Sequence, residues 1–234
     1  MPPDPPTHSP MAARAVVAPA PTLDAPLTGL TILLVEDSRY ACDALRLLCQ
    51  RSGARMRRAE TLDAAGRHLA RLRPDVAIVD MGLPDGDGAA FLSRLAALPP
   101  PRPLRLATSG DPELEVHALR MGAQDFLPKP FPGLAGFRAA ILRHLPERAW
   151  LRAVPLSQHH IAPDPLALRD DLARAAARLA AEPGPQELAY LRRFVAGLAR
   201  SSGDDALAAA CAMAPRALAD TIAQRLAPGM AMVP

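Results

Sequence analysis

Lysine is all but absent from this chain. Lysine and arginine together number 27, and a single one, Lys129, is lysine. Where a positive charge alone suffices, this composition supplies arginine. The one retained lysine therefore marks a tight site that needs a compact point charge rather than a planar fork. Aromatic residues make up 3%, which leaves the core to Ala and Leu and leans the chain toward helix. Cysteine is scarce too. Cys42, Cys49 and Cys211 are three, at no metal-ligand spacing, which argues against a disulfide framework or a zinc site and fits a reducing cytoplasm. No apolar run approaches the length of a membrane span. Net charge is only +3. The densest basic patch, Arg51, Arg55, Arg57 and Arg58, reads as a solvated face beside a weak strand, and nucleic acid is not an expected partner.

Eight prolines and no periodicity occupy residues 1–29, which reads as a disordered leader, with Met11 a second candidate start. From Leu30 the texture changes. Thr31-Ile32-Leu33-Leu34-Val35 is a continuous apolar run, as expected of a strand buried on both faces. Further strands are expected at 54–59, 75–80, 104–108 and 125–128. Helical spacings fall between them, at 38–52, 61–72, 88–98 and 112–121, and a last helix follows at 132–145. Such alternation implies a five-stranded parallel, doubly wound (flavodoxin-like) sheet over residues 30–146. Residues 147–163 read as a proline-punctuated linker that carries His159 and His160. Four Ala/Leu-rich segments then predict an all-α four-helix bundle over 164–227, with a tail at 228–234. A bundle of this size is marginal alone and needs to lean on the first domain or on a second copy.

In doubly wound sheets, ligands bind outside the carboxyl ends of the strands. Glu36 and Asp37 close the first strand, Asp80 the third, Thr108 the fourth and Lys129 the fifth. Three converging carboxylates repel one another, by about 4 kcal/mol per pair at roughly 4 Å. Either one is protonated or a cation sits among them, and hard oxygen ligands select Mg²⁺. Glu36, Asp37, Asp80 and the backbone carbonyl of Gly82 are the candidate ligands. Asp80 is the candidate nucleophile, since a carboxylate can form an aspartyl phosphate. Lys129 and the Thr108 hydroxyl are candidate partners of the phosphoryl oxygens.

Five stretches carry a resemblance: Leu34-Val35-Glu36-Asp37-Ser38, Ile78-Val79-Asp80, Leu83-Pro84-Asp85-Gly86-Asp87-Gly88, Ala107-Thr108-Ser109 and Phe126-Leu127-Pro128-Lys129-Pro130-Phe131. In this order and at these strand ends, residues 30–146 resemble the receiver domain of two-component response regulators. The resemblance implies Asp80 as phosphoacceptor, Glu36 and Asp37 on the metal, Thr108 and Phe126 as a switch pair, and Lys129 as the phosphate sensor with a cis bond to Pro130. It also implies a sensor histidine kinase or a histidine phosphotransfer protein as phosphodonor. Ser109 departs from the alanine usual after the switch threonine.

The helical region lacks a helix-turn-helix pairing and a basic recognition helix. From Leu151 to Pro234, nine arginines face eight acids. Leu191 to Leu207 is similar to the central hairpin of histidine phosphotransfer domains, with Gly197 at the motif's glycine. Ala196 stands in place of its lysine, and Arg193 in place of its histidine. A guanidinium has no free lone pair to attack phosphorus, so the bundle reads as phosphotransfer-like but inactive, with Arg193 and Gly197 on a docking face. The expected function is a non-enzymatic, phosphorylation-switched adaptor with a protein output partner, a homodimer being allowed. The alternatives are a transcription regulator with a DNA-binding bundle and a phosphate sink.

Overall fold

The apolar runs become strands because parallel strands covered on both faces have no polar side to show. The structure, a computed structural model, describes residues 20–153 and 163–227. The strands are β1 (Thr31–Val35), β2 (Arg55–Ala59), β3 (Val76–Asp80), the two-residue β4 (Gly82–Leu83) and β5 (Gly86–Asp87), β6 (Leu104–Ser109) and β7 (Asp125–Pro128). Five of them form one parallel sheet in the order β2-β1-β3-β6-β7, while β4 and β5 make a separate antiparallel pair. Helices α1 (Arg39–Arg51), α2 (Leu62–Leu69), α3 (Gly88–Ala96), α4 (Leu114–Arg120) and α5 (Gly133–Leu142) intervene. Alternation along β1 divides the core. Ile32 and Leu34 pack with Leu45 of α1 and Phe137 of α5, whereas Leu33 and Val35 pack with Phe91 and Leu92 of α3 on the other side. This is the doubly wound α/β architecture expected, with boundaries shifted by a few residues.

After a 3-10 segment (Pro146–Ala153) come α6 (Pro165–Ala180), α7 (Pro185–Ser202), α8 (Asp205–Ala210) and α9 (Pro215–Leu226). The punctuation works as expected. Asp164 caps α6 through the Leu166 amide, and Gly203 closes α7 in the left-handed conformation at φ 71°. Leu172, Leu191, Val195, Leu218 and Ile222 fill the bundle core, and Tyr40 of α1 joins them. The helical region thus leans on the first domain.

One boundary is corrected. The leader was expected to run to residue 29, but residues 24–28 are held on the domain. Leu27 is fully buried, and its amide donates to the Ser52 carbonyl at 2.8 Å. The nearly buried Arg138 donates to the carbonyls of Asp24 and Arg51, and Arg148 donates to those of Pro26 and Thr28. A segment gripped through its carbonyls needs no periodicity, so its order leaves no trace in the pattern. The expected disorder of residues 1–19, the linker histidines His159 and His160, and the tail 228–234 lie outside the described residues. Among the described residues no helix is long and apolar enough to cross a membrane.

Candidate functional site

Parallel register brings the strand ends to one edge. Val35 lies beside Val79, Asp80 beside Thr108, and Thr108 beside Leu127. Glu36 and Asp37 therefore emerge next to Asp80, and the chain beyond β7 delivers Lys129. One oxygen from each of Glu36, Asp37 and Asp80 lies within 4.8 Å of the others. Lys129 Nζ sits 2.5 Å from Glu36 Oε2 and 3.3 Å from Asp80 Oδ2. The peptide between Lys129 and Pro130 is cis.

The site is buried, with Glu36 1%, Asp37 6% and Asp80 7% exposed. Burial, then the Asp80 charge, pushes Glu36 up from 4.5 to about 7 against the pull of Lys129. Burial, then Glu36, pushes Asp37 up from 3.8 to about 6. Asp80 is also raised by burial, with Lys129 opposing. Burial alone would lower Lys129, but Asp80 and Glu36 outweigh it and hold the ammonium above the ordinary lysine range. The cluster thus carries more negative charge than one lysine neutralises. Asp37 Oδ1 is buried with no hydrogen-bond partner. Three convergent carboxylates with an orphaned oxygen fit a hard divalent cation such as Mg²⁺.

A consequence follows for stability. Carboxyls raised on folding favour the folded state below their unfolded values, and that stability is lost as pH rises through the folded ones. For Glu36 and Asp37 the window runs from about pH 4 to about pH 7. The metal-free protein is expected to melt higher at pH 5 than at pH 8, and Mg²⁺ to recover the loss at pH 8. Thermal melts across this range, with and without Mg²⁺, check it; a flat metal-free profile would refute it.

The remaining expected residues are placed differently. Thr108 is fully buried, and its hydroxyl donates to the Leu127 carbonyl at 2.7 Å, so it is engaged away from the carboxylates. Phe126 is buried in the core beside Ala107 and Ala118. Gly82 lines the cavity over Asp80, and so do Arg193 and Gly197 of α7. The face of α7 expected to dock thus lies across a cavity from Asp80 of the same chain.

Other partners of the site escaped the sequence reading. Tyr190 of α7 donates its hydroxyl to Asp37 Oδ2. Arg174 of α6 donates to the Asp37 carbonyl at 3.2 Å. Asp171, fully buried, accepts from Ser38 Oγ at 2.9 Å and from the Tyr40 amide at 3.0 Å, and pairs with Arg174. One signal was available. The chain has two tyrosines, Tyr40 and Tyr190, and both lie in this contact between the domains.

The family model "Response regulator receiver domain" matches residues 32–141. The KDP operon transcriptional regulatory protein KdpE of Escherichia coli (strain K12) is 36% identical over 117 residues, which are 48% of this chain and 52% of that protein. The virulence transcriptional regulatory protein PhoP of Salmonella typhimurium (strain 14028s / SGSC 2262) is 34% identical over 103 residues, covering 44% and 46%. The chain spans about half the length of these curated relatives. A solved response regulator receiver domain from Methylobacillus flagellatus is 26% identical with a TM-score of 0.44, covering 49% of this chain and 96% of that one. Helices α6–α9 lie beyond the matched residues. The family match coincides with the strand-end acids and their lysine, and residues 32–141 of this chain are a response regulator receiver domain.

Proposed function

We propose that this chain is a two-component response regulator phosphorylated on Asp80, and that its helical region is the adaptor that phosphorylation switches. The observation that carries this reading is the Asp80 carboxylate, which lies 3.3 Å from Lys129 Nζ inside an acidic cluster on the floor of a cavity. An Asp80 oxygen attacks phosphorus while Lys129 holds a phosphoryl oxygen as a point charge. Glu36, Asp37, Asp80 and the Gly82 carbonyl would hold Mg²⁺, which when bound neutralises charge on the transferring group. The Thr108 hydroxyl reaches the phosphoryl group only by leaving the Leu127 carbonyl, and Phe126 repacks with it.

The product carries about two negative charges where the carboxylate carried one, beside Asp37, the residue that Tyr190 holds. Docking of α6–α9 and phosphorylation are thereby coupled, and the face released on α6 and α7 meets a protein partner. The phosphodonors expected are a sensor histidine kinase or a phosphotransfer protein, in the cytoplasm. A second reading, a DNA-binding output, is favoured by the names of the curated relatives. A titration of duplex binding against salt separates the two, because phosphate contacts give a steep slope.

Incubation with phosphoramidate and Mg²⁺ is expected to add one phosphoryl group that hydroxylamine removes. Asp80→Asn is expected to abolish labelling, since an amide is neither nucleophile nor anionic ligand. Full labelling of that variant, measured by intact-protein mass, would reassign the acceptor.

A further inference from the structure

The acidic site does not face open solvent, because α6 and α7 lie across it. The Tyr190 and Arg174 contacts seize Asp37, and Asp171 holds the start of α1 through Ser38 and Tyr40. An exposed ion pair, Arg39 to Asp170 at 2.9 Å, extends the contact. The approach is close. A methyl group built on Gly110, just beyond β6, would stand 3.2 Å from the Gly197 Cα and 3.1 Å from the Arg200 guanidinium.

What remains over Asp80 is a cavity of about 360 Å³, with Glu36, Asp80 and Lys129 on its floor and Arg193, Gly197 and Arg200 on its roof. Arg193 and Arg200 are exposed, so the cavity reaches solvent beside them. With α7 seated this closely against Gly110, a second helix cannot come down on the same edge of the site, whereas a small phosphorylated molecule enters through the open side of the cavity. Two guanidinium groups at the entrance draw in such an anion. Arg193, which aligns with the histidine in the phosphotransfer-like stretch, lines this cavity and cannot itself donate a phosphoryl group.

We infer that α6 and α7 select the phosphodonor: with the helices docked, a small acyl phosphate or phosphorylated imidazole reaches Asp80, and a phosphohistidine carried on a protein helix is excluded until they lift. This rests on Asp80 as acceptor. In the small-donor reaction an Asp80 oxygen forms the new P–O bond. From an acyl phosphate the old P–O bond breaks and the carboxylate leaves with the electron pair. From phosphoimidazole the P–N bond breaks, and imidazole leaves with the pair and takes a proton from water.

The test uses the full chain with Mg²⁺ and two donors that share a leaving group, phosphoimidazole and a designed helical peptide bearing one phosphohistidine. Labelling rates are compared in wild type, in Asp171→Ala, which removes the buried contact, and in Arg39→Glu, which sets like charges against Asp170 and spares the core. Circular dichroism confirms folding. In both variants the ratio of the peptide rate to the phosphoimidazole rate is expected to rise about tenfold, in proportion to the opened fraction. A peptide-to-imidazole ratio equal in all three proteins overturns the inference, and so does an absence of peptide labelling throughout. Failure of phosphoimidazole to label any of them would instead overturn Asp80 as acceptor.

Discussion

Lys129→Met is expected to cost the metal-free protein about 3–5 kcal/mol at pH 8, because removing one partner leaves buried charge uncompensated. The ammonium is the counter-charge for Glu36 and Asp80, at 2.5 and 3.3 Å, and its side chain is 7% exposed. The apolar stem of methionine fills nearly the same volume, so the loss is electrostatic. The sign with pH follows. Glu36 and Asp37 already stand at about 7 and about 6, and without the lysine they rise further. At pH 5 Glu36 and Asp37 are already protonated in wild type and the cost is smaller; at pH 8 the variant must ionise them unpaired or hold them protonated where wild type does not, and the cost is larger. For a chain of this size the drop in Tm at pH 8 is about 10–15 °C. Equal penalties at pH 5 and pH 8 would make Lys129 a packing residue.

Gly88→Ala is the second large effect. Gly88 opens α3, and a methyl group there would lie 2.0 Å from the Asp80 carbonyl oxygen and 3.0 Å from the Met81 Cα. Both are backbone, so no rotamer change relieves the clash. The start of α3 has to move away from the acceptor loop, at a cost of about 3 kcal/mol. The rate of Asp80 phosphorylation falls with it. Gly66→Ala in α2 is the contrast, since nothing lies within 4 Å of the added methyl. That change is expected to stabilise by about 0.5–1 kcal/mol through helix propensity. Denaturant unfolding of the two variants checks the pair, and a Gly88→Ala protein as stable as wild type would show that the approach at α3 is slack.

The placements of Arg193 and Gly197 show how far a local reading goes. Arg193 and Gly197 were expected on a docking face, and Gly197 does lie off the buried stripe of Leu191, Val195 and Leu198. The helix does present it there, across a cavity from Asp80. Spacing along one helix says which residues share a face and nothing about what covers that face. Thr108 gives the same lesson within the receiver domain. Its position at the strand end was legible, whereas its bond to the Leu127 carbonyl depends on the register of β6 against β7.

The sequence by itself determined the receiver domain and the residues of its acidic site. Strands buried on both faces read as unbroken apolar runs, and parallel βα connections deliver their carboxyl ends to one edge, so Glu36, Asp37, Asp80 and Lys129 converge whatever lies around them. The four helical stripes followed from the 3.6-residue period in the same way. Only the tertiary structure decided that residues 24–28 are gripped by Arg138 and Arg148, and that the helices close over the site. The bond from Tyr190 to Asp37 joins residues 153 positions apart, and that from Ser38 to Asp171 joins residues 133 apart. Such contacts arise from two finished surfaces meeting. No periodicity, cap or turn along the chain encodes them, so they become visible only once both domains are folded and packed.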